Sequence, residues 1–331
     1  MIINLIKIIL QPILRRDVEN LSSLFLTGMQ SEFERKHCII SPRMTPYPEA
    51  RVLLSIDYES WLTLTGENGR FSPAQRQELD GGFTCRAVDG ILELLGKTRA
   101  SFYLVGEILD WYPEVAQKIA AAGHELGFHC HTHRPLGNAS ELESDLKQSQ
   151  SWLKAYGVRG YRAPRVRIAE QAYPILKQYG FFYSSSLYAP AGSLARKSGI
   201  WELPVSTLRL TGGEPELTAP RHFSLSLLAQ GEIPYGSSFI IGLLGDLVLR
   251  ILEKELRAGR SPVIFLHPYE LVRPQGWRAR SRRIILKDPL QTPFCLDKSG
   301  FLRRLIRTFP VSPLGAWLDE ALASNGEGQG D

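Results

Sequence analysis

Two histidines four residues apart, His129 and His133, and two carboxylates separated by one residue, Asp57 and Glu59, are the side chains whose types and spacing suit hydrolytic chemistry. A catalytic zinc-type centre uses about three protein ligands and keeps one position open for water. The two imidazoles, brought to one ion from a single turn, and one carboxylate meet that count. On an extended strand end, residues i and i+2 point the same way, so Asp57 and Glu59 face one site. One can hold the ion while the other takes a proton from a water whose pKa the ion lowers towards ~7; spacing alone leaves open which does which. Three further segments, Arg162-Ala163-Pro164-Arg165, Trp201-Glu202-Leu203-Pro204 and His267-Pro268, offer a guanidinium, an acid and another imidazole. Each segment alone is common on protein surfaces. Jointly they hold the parts of a metal-dependent amide or ester hydrolase.

Something must bring residues this far apart in sequence to one place. Four of the segments end short apolar runs bounded by charged, Gly or Pro residues: Val52 to Ile56 before Asp57, Glu125 to Phe128 before His129, Arg159 to Tyr161 before Arg162, and Val263 to Leu266 before His267. Buried parallel strands read as such runs, and polar residues at the C-terminal ends of barrel strands converge on one mouth. Between the runs lie helical patterns. Ala87 to Leu95 carries Val88, Ile91, Leu92 and Leu95, and Pro113 to Ala122 carries Val115, Ile119 and Ala122, each with apolar residues three and four apart. Ser140 to Tyr156 opens on Ser with Glu143 three residues on, a capping-box pattern. Phe239 to Leu256 is apolar apart from a stripe including Asp246, Arg250 and Lys254, and reads as one helix before the His267 strand. Strands alternating with helices predict an α/β fold with a parallel sheet or barrel.

These residues carry a resemblance. From about Arg51 to about Leu271 the chain resembles the polysaccharide deacetylases that share the NodB homology domain, in the branch whose first motif reads D-x-E. The matching pieces are Gly123-His124-Glu125-Leu126-Gly127-Phe128-His129, Gly160-Tyr161-Arg162-Ala163-Pro164, Trp201-Glu202-Leu203-Pro204-Val205-Ser206-Thr207 and Leu266-His267-Pro268-Tyr269-Glu270-Leu271, in the family's order. The resemblance implies a distorted (β/α) barrel over 51–272. The segments 1–50 and 273–331 would then be an N-terminal amphipathic helix with its extension and a basic C-terminal extension. It also implies the roles: Asp57 the catalytic base, Glu59 the metal carboxylate beside His129 and His133, Arg162 the partner of the base, and His267 the general acid. An arginine beside Asp57 would hold it ionised and oriented. Zn2+ is the ion this ligand set suits first, with other divalent transition metals accepted.

The chain departs from the family pattern in places. Tyr183-Ser184-Ser185-Ser186 stands where many members have Tyr-Asp-Ser-Ser, so an acid that would orient the catalytic histidine is missing; either Glu202 replaces it or His267 titrates differently. Arg165 stands where small residues are more usual and adds a cation near the mouth, suited to an anionic substrate. His131 is not excluded as a ligand by spacing, only by the motif. His124 and Cys130 read as packed or hydrogen-bonded residues of the strand and its approach.

The chain has 331 residues, 44% of them hydrophobic, and net charge +5. Its four cysteines, Cys38, Cys85, Cys130 and Cys295, form no C-x-x-C pair and no disulfide-scaffold spacing, which suits a reducing, cytoplasmic setting. Between Arg273 and Arg307 lie ten Lys or Arg and two acids, Asp288 and Asp297, a segment that would be drawn to phosphates. No aromatic stacking platform for nucleic acid accompanies it. Met1 to Arg16 is apolar with one polar stripe, too short and interrupted to cross a bilayer. It is predicted to lie on the inner membrane face as an interfacial helix or to pack on the barrel, and Leu302 to Arg307 is a second amphipathic piece for that face. The Gly-rich tail from Ser324 reads as disordered. The sequence thus predicts a cytoplasmic, peripherally membrane-associated deacetylase of an N-acetylated sugar in a polysaccharide or lipid-linked glycan. The competing readings are a deformylase of a lipid-linked amino sugar and a non-catalytic glycan- or lipid-binding protein.

Overall fold

A computed structural model describes residues 49–134, 139–210 and 216–324. These lie in the unit Pro46–Asp331, one of two into which the chain divides. The helix predicted for Met1–Arg16 and the tail predicted beyond Ser324 lie outside the described residues.

The apolar runs are strands. In chain order they are β1 (Val52–Tyr58), β2 (Ser101–Val105), β3 (Glu125–Cys130), β4 (Gly160–Tyr161), β5 (Tyr183–Ser184), β6 (Tyr188–Pro190), β7 (Ala195–Lys197), β8 (Ile200–Glu202), β9 (Val205–Arg209), β10 (Glu232–Ile233), β11 (Val263–Leu266) and β12 (Val311–Ser312). The main sheet runs β11-β1-β2-β3-β4-β5-β8-β7, with β12 on β1. All its pairings are parallel except β7 against β8. All seven residues of β1 are buried, as a strand covered on both faces must be. The predicted α/β barrel is present in distorted form, as a curled parallel sheet. A second sheet, β10-β9-β6, lies beside β11, where Phe265 N–H donates to Gly236 O at 3.0 Å and Val263 N–H to Ser206 Oγ at 2.8 Å.

The end of the sheet away from the strand C-termini is plugged by the helix Leu314–Ser324. Leu314, Trp317, Leu318, Ala321 and Leu322 join Leu53, Tyr103 and Val263 in one apolar cluster. The plug is tied down where its backbone starts: Leu314 N–H donates to Ser101 Oγ at 2.8 Å and Gly315 N–H to Glu125 Oε2 at 3.0 Å.

Three helical expectations change. In the helix expected from Ser140, Ala139 is already helical, so Ser140 is inside the helix and not its cap. Phe239 to Leu256 forms two helices, Ser238–Leu244 and Leu247–Arg257, because Gly245 adopts φ 54°, ψ −127° between them, a conformation that favours glycine. Leu302 to Arg307 lies in the helix Ser299–Thr308, whose Phe301, Leu302 and Leu305 are buried in protein and so are not presented to a membrane. No helix among the described residues is long and apolar enough to cross a membrane.

His124 sits in the approach to β3, where its Nδ1 accepts from Ala100 N–H at 3.2 Å and its ring meets Phe102 edge-on. Burial, helped by Arg99, lowers its pKa from 6.5 to about 4. The folded protein therefore prefers neutral His124. Its contribution to stability is present above pH 6.5 and is lost as pH falls from 6.5 towards 4. Urea titrations at pH 7 and pH 4.5 should show wild type losing more stability on acidification than His124→Asn, which keeps an acceptor but no titrating ring. Equal losses would show that this imidazole does not set the acid limit.

Candidate metal-dependent active site

The C-terminal ends of β1, β3, β4 and β11 deliver Asp57, His129, Arg162 and His267 to one rim of the sheet, with Glu59 and His133 one and three residues past the ends of β1 and β3. Asp57, Glu59, His129, His133 and His267 line one cavity of about 940 Å3, and Arg162 is fully buried behind it. Parallel pairing makes this convergence automatic, because every strand C-terminus emerges on the same side. The expectation that Asp57 and Glu59 face one site is met, since both line this cavity.

Glu59, His129 and His133 form a cluster whose ligand atoms all lie within 4.8 Å of one another. Oε2 of Glu59 is 2.7 Å from Nε2 of His133 and 4.0 Å from Nε2 of His129. Two ligands about 2.0–2.1 Å from a tetrahedral zinc ion stand about 3.3 Å apart, so the two separations bracket what an ion needs. The surrounding groups aim the cluster. Oε1 of Glu59 accepts from Thr63 Oγ1 at 2.9 Å and Tyr269 Oη at 3.0 Å, which turns Oε2 towards the histidines. Nδ1 of His129 is 2.6 Å from Arg162 O; a carbonyl only accepts, so Nδ1 carries the proton and Nε2 keeps its lone pair for an ion. Burial lowers the His129 pKa to about 4, and a neutral imidazole is the ligating form. Burial would raise the Glu59 pKa, but His133, His267 and His129 around it reverse this and hold it well below the usual carboxylate range. The donor set fits a divalent ion.

Arg162 is fully enclosed. Nη1 lies 3.4 Å from both oxygens of Asp57, and Nη2 donates to Ser185 Oγ at 2.9 Å and reaches Ser55 Oγ at 3.4 Å. Its guanidinium also sits 4.8 Å from the centre of the Tyr103 ring and 5.2 Å from that of Phe265. A Cβ at position 127 would collide with the Tyr103 ring, so Gly127 leaves room for the aromatic floor under this arginine. The pair of Arg162 and Asp57 expected from the motifs is present.

The orienting acid is not Glu202. Its carboxylate accepts from Tyr173 Oη at 3.0 Å and from the backbone N–H groups of Ser186 and Leu187 at 2.6 and 3.0 Å. Glu270 is the carboxylate that stands beside the His267 ring. Its Oε2 accepts from His267 N–H at 2.8 Å and stands 3.3 Å from Nδ1 of the same residue. Oε1 is held by Lys298 and Ser238, and Lys298 Nζ also donates to Pro293 O at 2.9 Å. Burial opposes charge on all three groups. Lys298 and His267 nevertheless pull the Glu270 pKa down to about 2, while Glu270, Glu59 and Asp57 raise that of His267. His267 is further clamped by Tyr269, stacked at 5.1 Å and 8°. The sequence did carry one signal for Glu270: it follows His267 by three residues after a helix-starting proline, a capping spacing. Nothing marked Lys298, which lies within the basic segment but is buried.

Other candidates fall outside the cluster. His131 turns away, with Nε2 3.4 Å from Asp110 and Nδ1 3.2 Å from Ser149 Oγ. Cys130 is buried, and burial pushes its thiol pKa well up, which disfavours a thiolate ligand. Arg165 does reach the cavity rim. It is held there by two consecutive non-glycine residues in the left-handed region, Arg165 at φ 58° and Val166 at φ 53°.

Similarity to known proteins bears on this arrangement. The sequence profile of the family described as Polysaccharide deacetylase matches residues 84–184, the stretch from the helix after β1 to β5 that contains His129, His133 and Arg162. No curated protein matches the chain. Among solved structures, a Mycobacterium smegmatis protein assigned as a polysaccharide deacetylase is 19% identical, with TM-score 0.45, covering 81% of this chain and 94% of its own. Puue allantoinase is 18% identical, with TM-score 0.46, covering 85% and 100%. BA3943, described as a CE4 family pseudoenzyme from Bacillus anthracis, is 14% identical, with TM-score 0.41, covering 83% and 67%. Over residues 84–184, which span its central strands, the chain matches the polysaccharide deacetylase family.

Proposed function

We propose that this protein is a metal-dependent hydrolase that removes the acetyl group from an N-acetylated sugar of a polysaccharide or lipid-linked glycan. The observation that carries the reading is the meeting of a three-ligand cluster, a carboxylate paired to a buried arginine, and a carboxylate-backed imidazole in one cavity of about 940 Å3. A cavity of that size accommodates more than a single small acid or amine.

Glu59, His129 and His133 would hold the ion, with zinc the first candidate. When bound, it would lower the pKa of water and polarise the acyl carbonyl. The side chains supply the proton traffic. Asp57, kept in place by Arg162, takes a proton from the attacking water as oxygen bonds to the acyl carbon. His267 gives a proton to the sugar nitrogen as the carbon–nitrogen bond breaks, so acetate and a free amine leave. The apolar walls contributed by Trp61, Leu62 and Phe265 limit water around the reacting bond.

Metal analysis of the purified protein tests the foundation. Wild type should carry one equivalent of a divalent transition metal, and His133→Ala should carry little, because two ligands remain where about three are needed. A wild type that stays empty after reconstitution with zinc would remove the hydrolase reading.

A further inference from the structure

The basic segment does not form an evenly solvated face. Its helix Trp277–Lys287 brings Arg280, Arg283 and Lys287 to the wall of the catalytic cavity, and Arg165 and Arg167 stand on the rim contributed by the segment after β4. Two acids, Glu67 and Asp288, share this outer rim, and both are engaged. Glu67 takes Lys287 at 2.7 Å, and Asp288 accepts from Leu290 N–H at 3.0 Å and from Gln291 at 2.9 Å. Among the described residues, Arg165, Arg167, Arg280 and Arg283 have no carboxylate within ion-pair distance. Arg280 is braced, its guanidinium 4.4 Å from the centre of the Trp61 ring, and Trp61 lines the same cavity. Arg167 helps burial keep His222 on that rim below its ordinary pKa.

Four arginines from two separate segments, gathered around a cavity whose floor holds the metal cluster, make a concentrated positive field at its mouth. A sugar carboxylate brings one charge and needs one guanidinium. A phosphate or diphosphate brings two or more negative charges and several acceptor oxygens, and the planar arginine fork suits it. Resting on the proposed hydrolase reading, we infer that the mouth is an anion subsite and that the acylated sugar enters carrying a phosphate or diphosphate. The acyl group lies at the metal cluster, and the phosphate lies between the Arg165–Arg167 rim and the Arg280–Arg283 helix. Such a group reaches a protein either on a soluble nucleotide or on a lipid carrier. Leu286 and Leu290, 74% and 63% exposed on and just after the basic helix, are positioned for the lipid form.

Calorimetric titration of the metal-loaded protein with N-acetylglucosamine and with N-acetylglucosamine 1-phosphate tests the subsite without turnover. The phosphorylated sugar should bind about ten-fold tighter or more, the scale of one or two charge-assisted contacts, and the advantage should shrink as salt is added. In the double variants Arg165→Gln/Arg167→Gln and Arg280→Gln/Arg283→Gln, the two affinities should move together. Both variants change exposed or half-buried side chains, and unchanged melting temperatures would show the fold intact. A second pair of titrations, with the sugar on a nucleotide diphosphate and on a polyprenyl diphosphate in micelles, names the carrier by whichever binds tighter. Equal binding of the neutral and phosphorylated sugars overturns the inference, as does a phosphate preference that survives in both double variants, which would place the anion on the metal. A phosphate preference carried by the arginines in a protein that releases no acyl group would support the subsite while removing the hydrolase reading.

Discussion

Asp57→Asn should lower the turnover of an acetylated amino-sugar substrate by about 10^3, within the range that a positioned general base contributes, while metal content stays at the wild-type level. The substitution keeps shape and removes only the ability to take a proton. It also deprives Arg162 of its carboxylate, but that guanidinium keeps Ser55, Ser185 and the faces of Tyr103 and Phe265. The expected stability loss is therefore about 1–3 kcal/mol and not an unfolded protein. His133→Ala makes the contrasting case, in which turnover and metal are lost together. The pair of variants separates base from ligand, which spacing left undivided between Asp57 and Glu59. If Asp57→Asn retained turnover within about ten-fold of wild type, below what a general base supplies, Asp57 would not be the base. If it lost the metal, the two carboxylates would have exchanged roles. Steady-state kinetics and metal analysis on the same preparations decide among these outcomes.

The sequence disclosed the site better than its surroundings, and for a physical reason. Strands buried on both faces must be apolar throughout, so the polar residue that ends each run stands out, and parallel pairing sends all such residues to one rim. Asp57, His129, Arg162 and His267 were legible on that ground, as were the strands β1, β3, β4 and β11 that carry them. Short strands such as β5, β8 and β10, with two or three residues each, hold their place by tertiary pairing and leave almost no periodic signal. The break at Gly245 was hidden because apolar residues run up to it and the stripe of Asp246, Arg250 and Lys254 starts directly after it; an isolated glycine inside a helical pattern is tolerated. Charge misled in both directions. Ten cations between Arg273 and Arg307 read as one surface, yet Lys298 is buried against Glu270 and Arg304 pairs with Asp246 at 2.7 Å. Glu202 read as a replacement acid, but backbone N–H groups had claimed it. Which partner a buried carboxylate takes is decided by packing between distant segments, and the linear sequence does not display that.

The pair of Glu270 and Lys298 gives a case in which stability and catalysis should come apart. Both side chains are buried, and each is the main neutralising partner of the other. Removing one partner of a buried ion pair leaves a stranded charge and costs about 3–5 kcal/mol, whereas replacing both by groups of similar volume is often neutral. Glu270→Gln and Lys298→Met should therefore each lower unfolding stability by about that amount, and the double variant should regain most of it. Catalysis should not follow. In Glu270→Gln and in the double variant, the His267 ring loses the carboxylate 3.3 Å from its Nδ1, and kcat should fall about 10–100-fold, the scale of losing a group that orients a functional histidine. KM should change little, since neither side chain lines the cavity. Glu270→Asp, which shortens the reach but keeps the charge, should recover part of kcat. Urea unfolding and steady-state kinetics on the four variants distinguish a positioning residue from a structural one. If the double variant recovers kcat together with stability, Glu270 serves the fold alone, and His267 is held for chemistry by its stacking on Tyr269 and its enclosure by Phe265 and Phe294.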